Sequence, residues 1–195
     1  MITSIGSFMS PLDSSIVSVS LPSITSGLKM GYAMAIWVPT TYLAALTVLL
    51  LSIGRLSDMR GRKPFFISGF AIFTTASFLC SISSSGPKLI AFRAIQGAGA
   101  AFMAATATAI VTDVFPGKER GKALGINTMA VYVGLAVGPS LGGFLTSAVG
   151  WRSIFYINIP IGLFVIAMSL WKFSSSEGAL VAVTFCSLKG CSRNY

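Results

Sequence analysis

Apolar and polar positions fall along this chain in long blocks. Residues 30–54, 64–87, 94–112, 123–151 and 153–171 contain no Asp, Glu, Lys or Arg, and residues 1–28 are interrupted only by Asp13. Each block meets or nearly meets the roughly 20 residues that an α-helix needs to cross about 30 Å of hydrocarbon. Backbone groups cannot stay unpaired in lipid, so isolated strands are excluded, and the alternation of a barrel strand is absent. The pattern predicts an all-α membrane protein: a six-transmembrane-helix bundle over residues 1–173, with helices at about 2–27, 34–55, 64–84, 88–113, 123–147 and 153–172. The first segment lacks a basic leader and is too polar, with its serines, Asp13 and Pro22, for a cleaved signal peptide, so a retained helix is expected. Residues 174–195 form a Ser-rich tail whose one apolar run, Ala179–Cys186, is too short to span. That run is either the stump of a seventh helix or a sequence unrelated to the rest.

Composition agrees with lipid as solvent. Charged residues make up 10% of the chain and hydrophobic residues 54%, whereas a soluble domain carries roughly 25% charge. The net charge of +9 comes from 14 basic and 5 acidic residues, and position explains it. Arg55, Arg60, Arg62 and Lys63 follow the second block and Lys118, Arg120 and Lys122 follow the fourth; the opposite side offers Lys29, Lys88 and Arg152. Seven against three places both basic loops and the N-terminus in the cytoplasm, with the plasma membrane as the expected location. Nucleic acid is not implied as a partner; membrane lipid is. Cys80, Cys186 and Cys191 sit at unrelated spacings and there is no histidine, so neither a disulfide framework nor a metal site is expected. An enzyme is not expected either. No Ser or Cys has an evident base, and no Gly-rich segment has the phosphate-loop form. No cofactor is implied.

Three groups of residues stand out. Asp13 and Arg93 are charges inside spans, where an ionised group costs a few kcal/mol and faces a cavity or a partner unless it snorkels to an interface. Read functionally, Asp13 is a protonatable acid and Arg93 tunes it or binds substrate, with Gln96 alongside. On the fifth helix Gly134, Gly138 and Gly142 recur every fourth residue and share one face, with Pro139 and Gly143 beside them. Such a face forms a groove where a neighbouring backbone can approach closely, although ordinary helix packing uses the same spacing. Pro139 removes a helical hydrogen bond and favours a kink. The segment Gly54-Arg-Leu-Ser-Asp58-Met-Arg60-Gly61-Arg62-Lys63-Pro64 sets an acid and two glycines among basic residues. Gly61 permits a tight turn, Pro64 suits the first position of the third helix, and Asp113 ends the fourth helix on the same side.

These segments resemble the major facilitator superfamily. The Gly54–Pro64 loop is similar to its signature between helices 2 and 3. Leu89–Gly99 resembles its helix 4 signature, and the glycine series on helix 5 resembles the motif of its drug:proton antiporters. Leu12–Ile24 and Trp151–Pro160 are similar to segments of its fourteen-helix drug antiporter branch. The resemblance covers about residues 10–162.

The resemblance implies the N-terminal six-helix half of a major facilitator fold, and a proton-coupled antiporter that exports small amphipathic or cationic compounds. Asp13 would then couple protons, with Arg93 and Gln96 supporting it in the cavity. Gly54, Asp58, Gly61, Arg62 and Asp113 would form a cytoplasmic latch to the other half. Gly134, Gly138, Pro139, Gly142 and Gly143 would set the bend and the close packing used in alternating access. The partners implied are protons, a small-molecule substrate, and a second six-helix half or a second copy of this chain. Because such transporters need two halves around a central cavity, two further readings stand beside this one: a non-transporting membrane remnant, and a regulatory membrane subunit.

Overall fold

The computed structural model describes residues 2–169, and all of its regular structure is helical. Six helices run in order. α1 covers Ile2–Gly27. α2 covers Tyr32–Arg60, with a turn at Ile36 dividing Tyr32–Ala35 from Trp37–Arg60. α3 is Arg62–Ser81, α4 Gly86–Val114 and α5 Gly117–Ala148. α6 is helical from Ser153 to Ser169, apart from a turn at Ile157. The expected end of the sixth helix at residue 172 and the tail at 174–195 lie outside the described residues.

By length and composition, α2, α3, α4 and α5 qualify as membrane spans. α1, at 26 residues, is long enough but carries many serines. Part of its polar content turns inward: Ser10, Asp13 and Ser20 are buried, while Ser18 and Ser26 are exposed. The described part of α6 is 17 residues of apolar helix.

The helix ends differ most from expectation. The basic segments expected as loops are largely helical. α2 continues to Arg60, a single residue, Gly61, breaks the chain, and α3 begins at Arg62. Gly61 adopts φ +95°, a conformation costly for any residue with a Cβ. Pro64 is consequently the third residue of α3, not its first. α5 likewise starts at Gly117, so Lys118, Arg120 and Lys122 lie on helix, not loop. Lys and Arg are good helix formers, and Glu119 in the first turn suits the positive end of the helix dipole. A gap between charges marks where hydrocarbon ends, but a helix can continue into water.

The most extensive helix pairings are α1 with α5, α3 with α4, and α2 with α4. Buried apolar residues form two clusters. One gathers Leu12, Ile16, Ile24, Val38, Leu89, Trp151 and Phe155. The other gathers Met9, Tyr42, Phe66, Phe70, Phe73, Ala100 and Val165. Close contact needs small residues. A Cβ on Gly99 would lie 2.6 Å from the Phe73 backbone nitrogen of α3, and one on Gly97 would collide with the Tyr42 carbonyl of α2.

The α1–α5 seam uses Gly134, Gly138 and Gly142. Cβ atoms there would come within 2.7 Å of the Phe8 carbonyl oxygen, 2.5 Å of the Ser15 Cβ and 3.1 Å of the Ile16 carbonyl oxygen. Gly143 points elsewhere, and a Cβ on it would meet nothing within 4 Å. α5 runs through Pro139 without a break. Proline has no N–H to donate to Leu135, four residues back. Ser15 Oγ of α1 donates to that Leu135 carbonyl at 3.0 Å, so a hydroxyl on the neighbouring helix satisfies the orphaned acceptor. Ser20 and Thr146 share a second hydrogen bond across the seam at 2.8 Å. At the far end, the Arg152 guanidinium stacks 4.4 Å from the Trp151 ring centroid and donates to the Ser83 carbonyl at 3.0 Å. This ties the α5–α6 turn to the α3–α4 turn.

Candidate functional site

A polar cluster sits where the two apolar clusters meet. On α4, Arg93 and Gln96 fall between Leu89 of one cluster and Ala100 of the other; on α6, Asn158 falls between Phe155 and Val165. Asp13, one residue past Leu12, faces them from α1. Arg93 and Gln96 are fully buried, and Asp13 retains 2% exposure. Arg93 therefore does not snorkel to an interface. It cannot, because Tyr42 and Phe155 enclose its head group. The guanidinium lies 4.2 Å from the Tyr42 ring centroid and 6.0 Å from that of Phe155.

Hydrogen bonds link the members of the cluster. Arg93 Nη1 donates to Asp13 Oδ2 at 2.6 Å and to Gln96 Oε1 at 2.7 Å. Gln96 Nε2 donates to Asp13 Oδ1 at 3.1 Å and to Ser77 Oγ of α3 at 2.8 Å. Asn158 Nδ2 donates to Asp13 Oδ1 at 2.6 Å. Tyr42 is held in turn by Ser10, their hydroxyls 2.7 Å apart. One carboxylate thus collects N–H donors from α4 and α6, and its own helix supplies none of them. Charge-assisted bonds of this kind are short and strong, which suits a dry interior. Asp13, Arg93 and Gln96 are brought together, as their spacing on two separate helices could not reveal. They are packed against one another in the interior. Asn158, Ser77 and Tyr42 were not singled out from the sequence. A neutral polar residue in a span leaves no gap in a charge map, which is why they passed unnoticed.

The second group lies at the junction of α2, α3 and α4. Arg62 pairs with Asp58 one turn back across the Gly61 break, Nη2 to Oδ1 at 2.8 Å and Nε to Oδ1 at 2.9 Å. It also pairs with Asp113 of α4 and donates to the Ala109 carbonyl at 2.7 Å. Arg62 is the common member of both ion pairs. These residues border an open cavity of about 520 Å³, lined also by Ser57, Lys63 and Pro64. Gly54 lies one turn before Asp58, in a shallow groove with Leu50, Leu51 and Ala105, and a Cβ there would meet nothing within 4 Å.

A helical bundle with a buried acid–guanidinium pair at its centre and an Arg62-centred clasp at one end is the architecture of a membrane transporter half. A sequence profile of the Major Facilitator Superfamily matches residues 3–184. The chain belongs to the Major Facilitator Superfamily, a family of membrane transporters and not of enzymes. It is 41% identical over 166 residues to the riboflavin transporter RibZ of Clostridioides difficile (strain 630), covering 85% of this chain and 36% of that protein. It is 38% identical over 169 residues to the multidrug resistance protein Stp of Mycobacterium tuberculosis, covering 86% and 32%. Among solved structures, a bacterial homologue of the human lysosomal transporter Spinster, inward-facing and occupied, superposes with a TM-score of 0.77 at 22% identity over 87% of this chain and 42% of that one. The chain spans about a third of the length of the curated relatives it matches. The shared fold is the six-helix half.

Proposed function

We propose that this chain acts as the N-terminal half of a proton-coupled exporter of small amphipathic or cationic compounds. A second six-helix half, or a second copy of this one, would complete the transporter. The observation that carries this reading is the Asp13–Arg93 pair. A single buried carboxyl meets a guanidinium at the centre of a bundle whose superfamily handles small molecules. The multidrug resistance protein Stp among its relatives favours export of drug-like compounds. RibZ widens the range to riboflavin-like cargo.

In this reading Asp13 gains and loses the transported proton, while Arg93 and Gln96 hold it in register. The Asp58–Arg62–Asp113 clasp closes the cytoplasmic side of the plasma membrane, with the N-terminus inside and Gly54 leaving room for the other half. The glycine face of α5 slides or bends against α1 as the site changes access. The test is efflux of a fluorescent cationic dye from proteoliposomes carrying a proton gradient, with insertion verified. Efflux is expected to be lost in Asp13→Asn and when the gradient is collapsed. Absence of any Asp13-dependent efflux from the isolated chain, or from the chain with its second half, would leave the remnant or regulatory-subunit reading in its place.

A further inference from the structure

Within the polar cluster the two side-chain amides are held differently. Gln96 is pinned at both ends: Oε1 accepts from Arg93, and Nε2 donates to Asp13 and Ser77. Turning it over would set its oxygen against a carboxylate and its N–H against a guanidinium. Asn158 is pinned at one end only. Nδ2 donates to Asp13 at 2.6 Å, while Oδ1 is buried without a hydrogen-bond partner. Once Asp13 carries a proton, turning this amide over sacrifices no bond at its oxygen, because Oδ1 has none to lose.

The two oxygens of Asp13 differ as well. Oδ2 faces Arg93, which has only donors. A proton placed there would have nothing to bond. Oδ1 faces Gln96 and Asn158, and Asn158 is the neighbour that can present an acceptor.

We propose that Asn158 is the residue through which α6 follows the protonation state of Asp13, its amide donating to the carboxylate and turning over to accept from the carboxylic acid. The proton arrives from the aqueous phase as hydronium and bonds to Oδ1, converting carboxylate to carboxyl and leaving water. The Asn158 N–H bond to Oδ1 breaks, and an O–H bond to Asn158 Oδ1 forms. Arg93 keeps its charge and its bond to Oδ2, and Gln96 still donates to the second lone pair of Oδ1. α6 therefore stays tied to α1 in both states, through opposite ends of one amide. Asn158 is a positioning residue in this scheme. The titratable groups facing the cluster are Asp13 from α1, Tyr42 from α2, Cys80 from α3 and Arg93 from α4. α6 brings Asn158 and no titratable group to it.

This inference rests on Asp13 as the proton-binding acid, and one experiment separates the two. Infrared difference spectra of the reconstituted chain are recorded between mildly alkaline and mildly acidic buffer, with asparagine carrying a heavy carbon in its side-chain carbonyl. The chain has three asparagines, Asn127, Asn158 and Asn194, so Asn158→Leu, with Asn158→Ala as the second variant, assigns the band. The expected result is an Asp13 carboxyl band, lost in Asp13→Asn, that appears together with an isotope-sensitive asparagine carbonyl shift. That shift is lost in Asp13→Asn and in either Asn158 variant. Should both Asn158 variants fail to fold, Asn127→Ala and Asn194→Ala, which are expected to keep the shift, assign it to Asn158 by elimination. An Asp13 band with no asparagine shift overturns the role of Asn158 and leaves Asp13 as the acid. No Asp13 band at all overturns both.

Discussion

At the scale of single residues, burying Asp13 beside Arg93 exchanges water for a set of fixed donors. Taking two charges out of water is expensive, and their attraction offsets that only when the geometry is good and the remaining polar atoms are bonded. Here both carboxylate oxygens accept hydrogen bonds, and the guanidinium adds the Tyr42 face to its own, although its Nη2 is buried without a hydrogen-bond partner. Removing one partner is therefore much worse than removing both. Arg93→Ala is expected to lower unfolding stability in detergent by roughly 3–5 kcal/mol, the range for leaving a buried charge unpaired. Arg93→Lys is expected to recover only a minor part, because an ammonium cannot reach Asp13 and Gln96 while stacking on a ring. Equilibrium unfolding followed by tryptophan fluorescence measures both, and equal stability of Arg93→Lys and the parent would refute the stacking argument. The charged members of this cluster were legible in the sequence, because a charge in a span breaks an apolar block. Asn158, Ser77 and Tyr42 break nothing, and only the fold reveals that they surround the acid.

At the scale of elements, the α1–α5 seam makes two glycines on one helix unequal. A Cβ on Gly134 would press on the Phe8 carbonyl at 2.7 Å, which is backbone and cannot rotate away. Gly143 faces open space. Gly134→Ala is expected to destabilise by about 1–3 kcal/mol, as overpacking does. Gly143→Ala is expected to be neutral or stabilising by up to about 1 kcal/mol, through helix propensity alone. Paired unfolding curves read the difference directly, and equal effects would mean that the helices do not meet where Gly134 lies. The spacing of four had foretold the face but had included Gly143 beside it. The seam also needs Ser15, whose hydroxyl satisfies the carbonyl that Pro139 orphans. A serine among many in α1 offers no signal of that role, because the need arises on another helix. Helix ends were the least legible feature, since charges mark the edge of hydrocarbon and the helices pass beyond it.

At the scale of the whole molecule, the bundle is unevenly covered. The most apolar windows of α3 and α4 are 50% buried, whereas those of α2 and α5 are 17% buried. α2 and α5 are thus free to face lipid or another six-helix unit, and Gly54 lies on α2, in the groove beside Asp58. Among the described residues nothing requires a glycine there. A Cβ would meet no atom within 4 Å, and glycine costs a helix about 1 kcal/mol relative to alanine. In the proposed reading the requirement comes from outside, from a helix of the second half approaching the Asp58–Arg62–Asp113 clasp. Gly54→Leu separates these origins. Unfolding stability of the chain is expected to be unchanged or higher by up to about 1 kcal/mol. Dye efflux by the complete assembly is expected to fall by about tenfold or more, equivalent to ~1.4 kcal/mol lost from the closed cytoplasmic state. Gly54→Ala should fall between them, because a methyl group intrudes less than an isobutyl group. If efflux survives Gly54→Leu, no helix docks closely at this groove, and the clasp acts within the half alone. If stability falls instead, the groove is filled from inside the bundle, and the uncovered face of α2 is narrower than described.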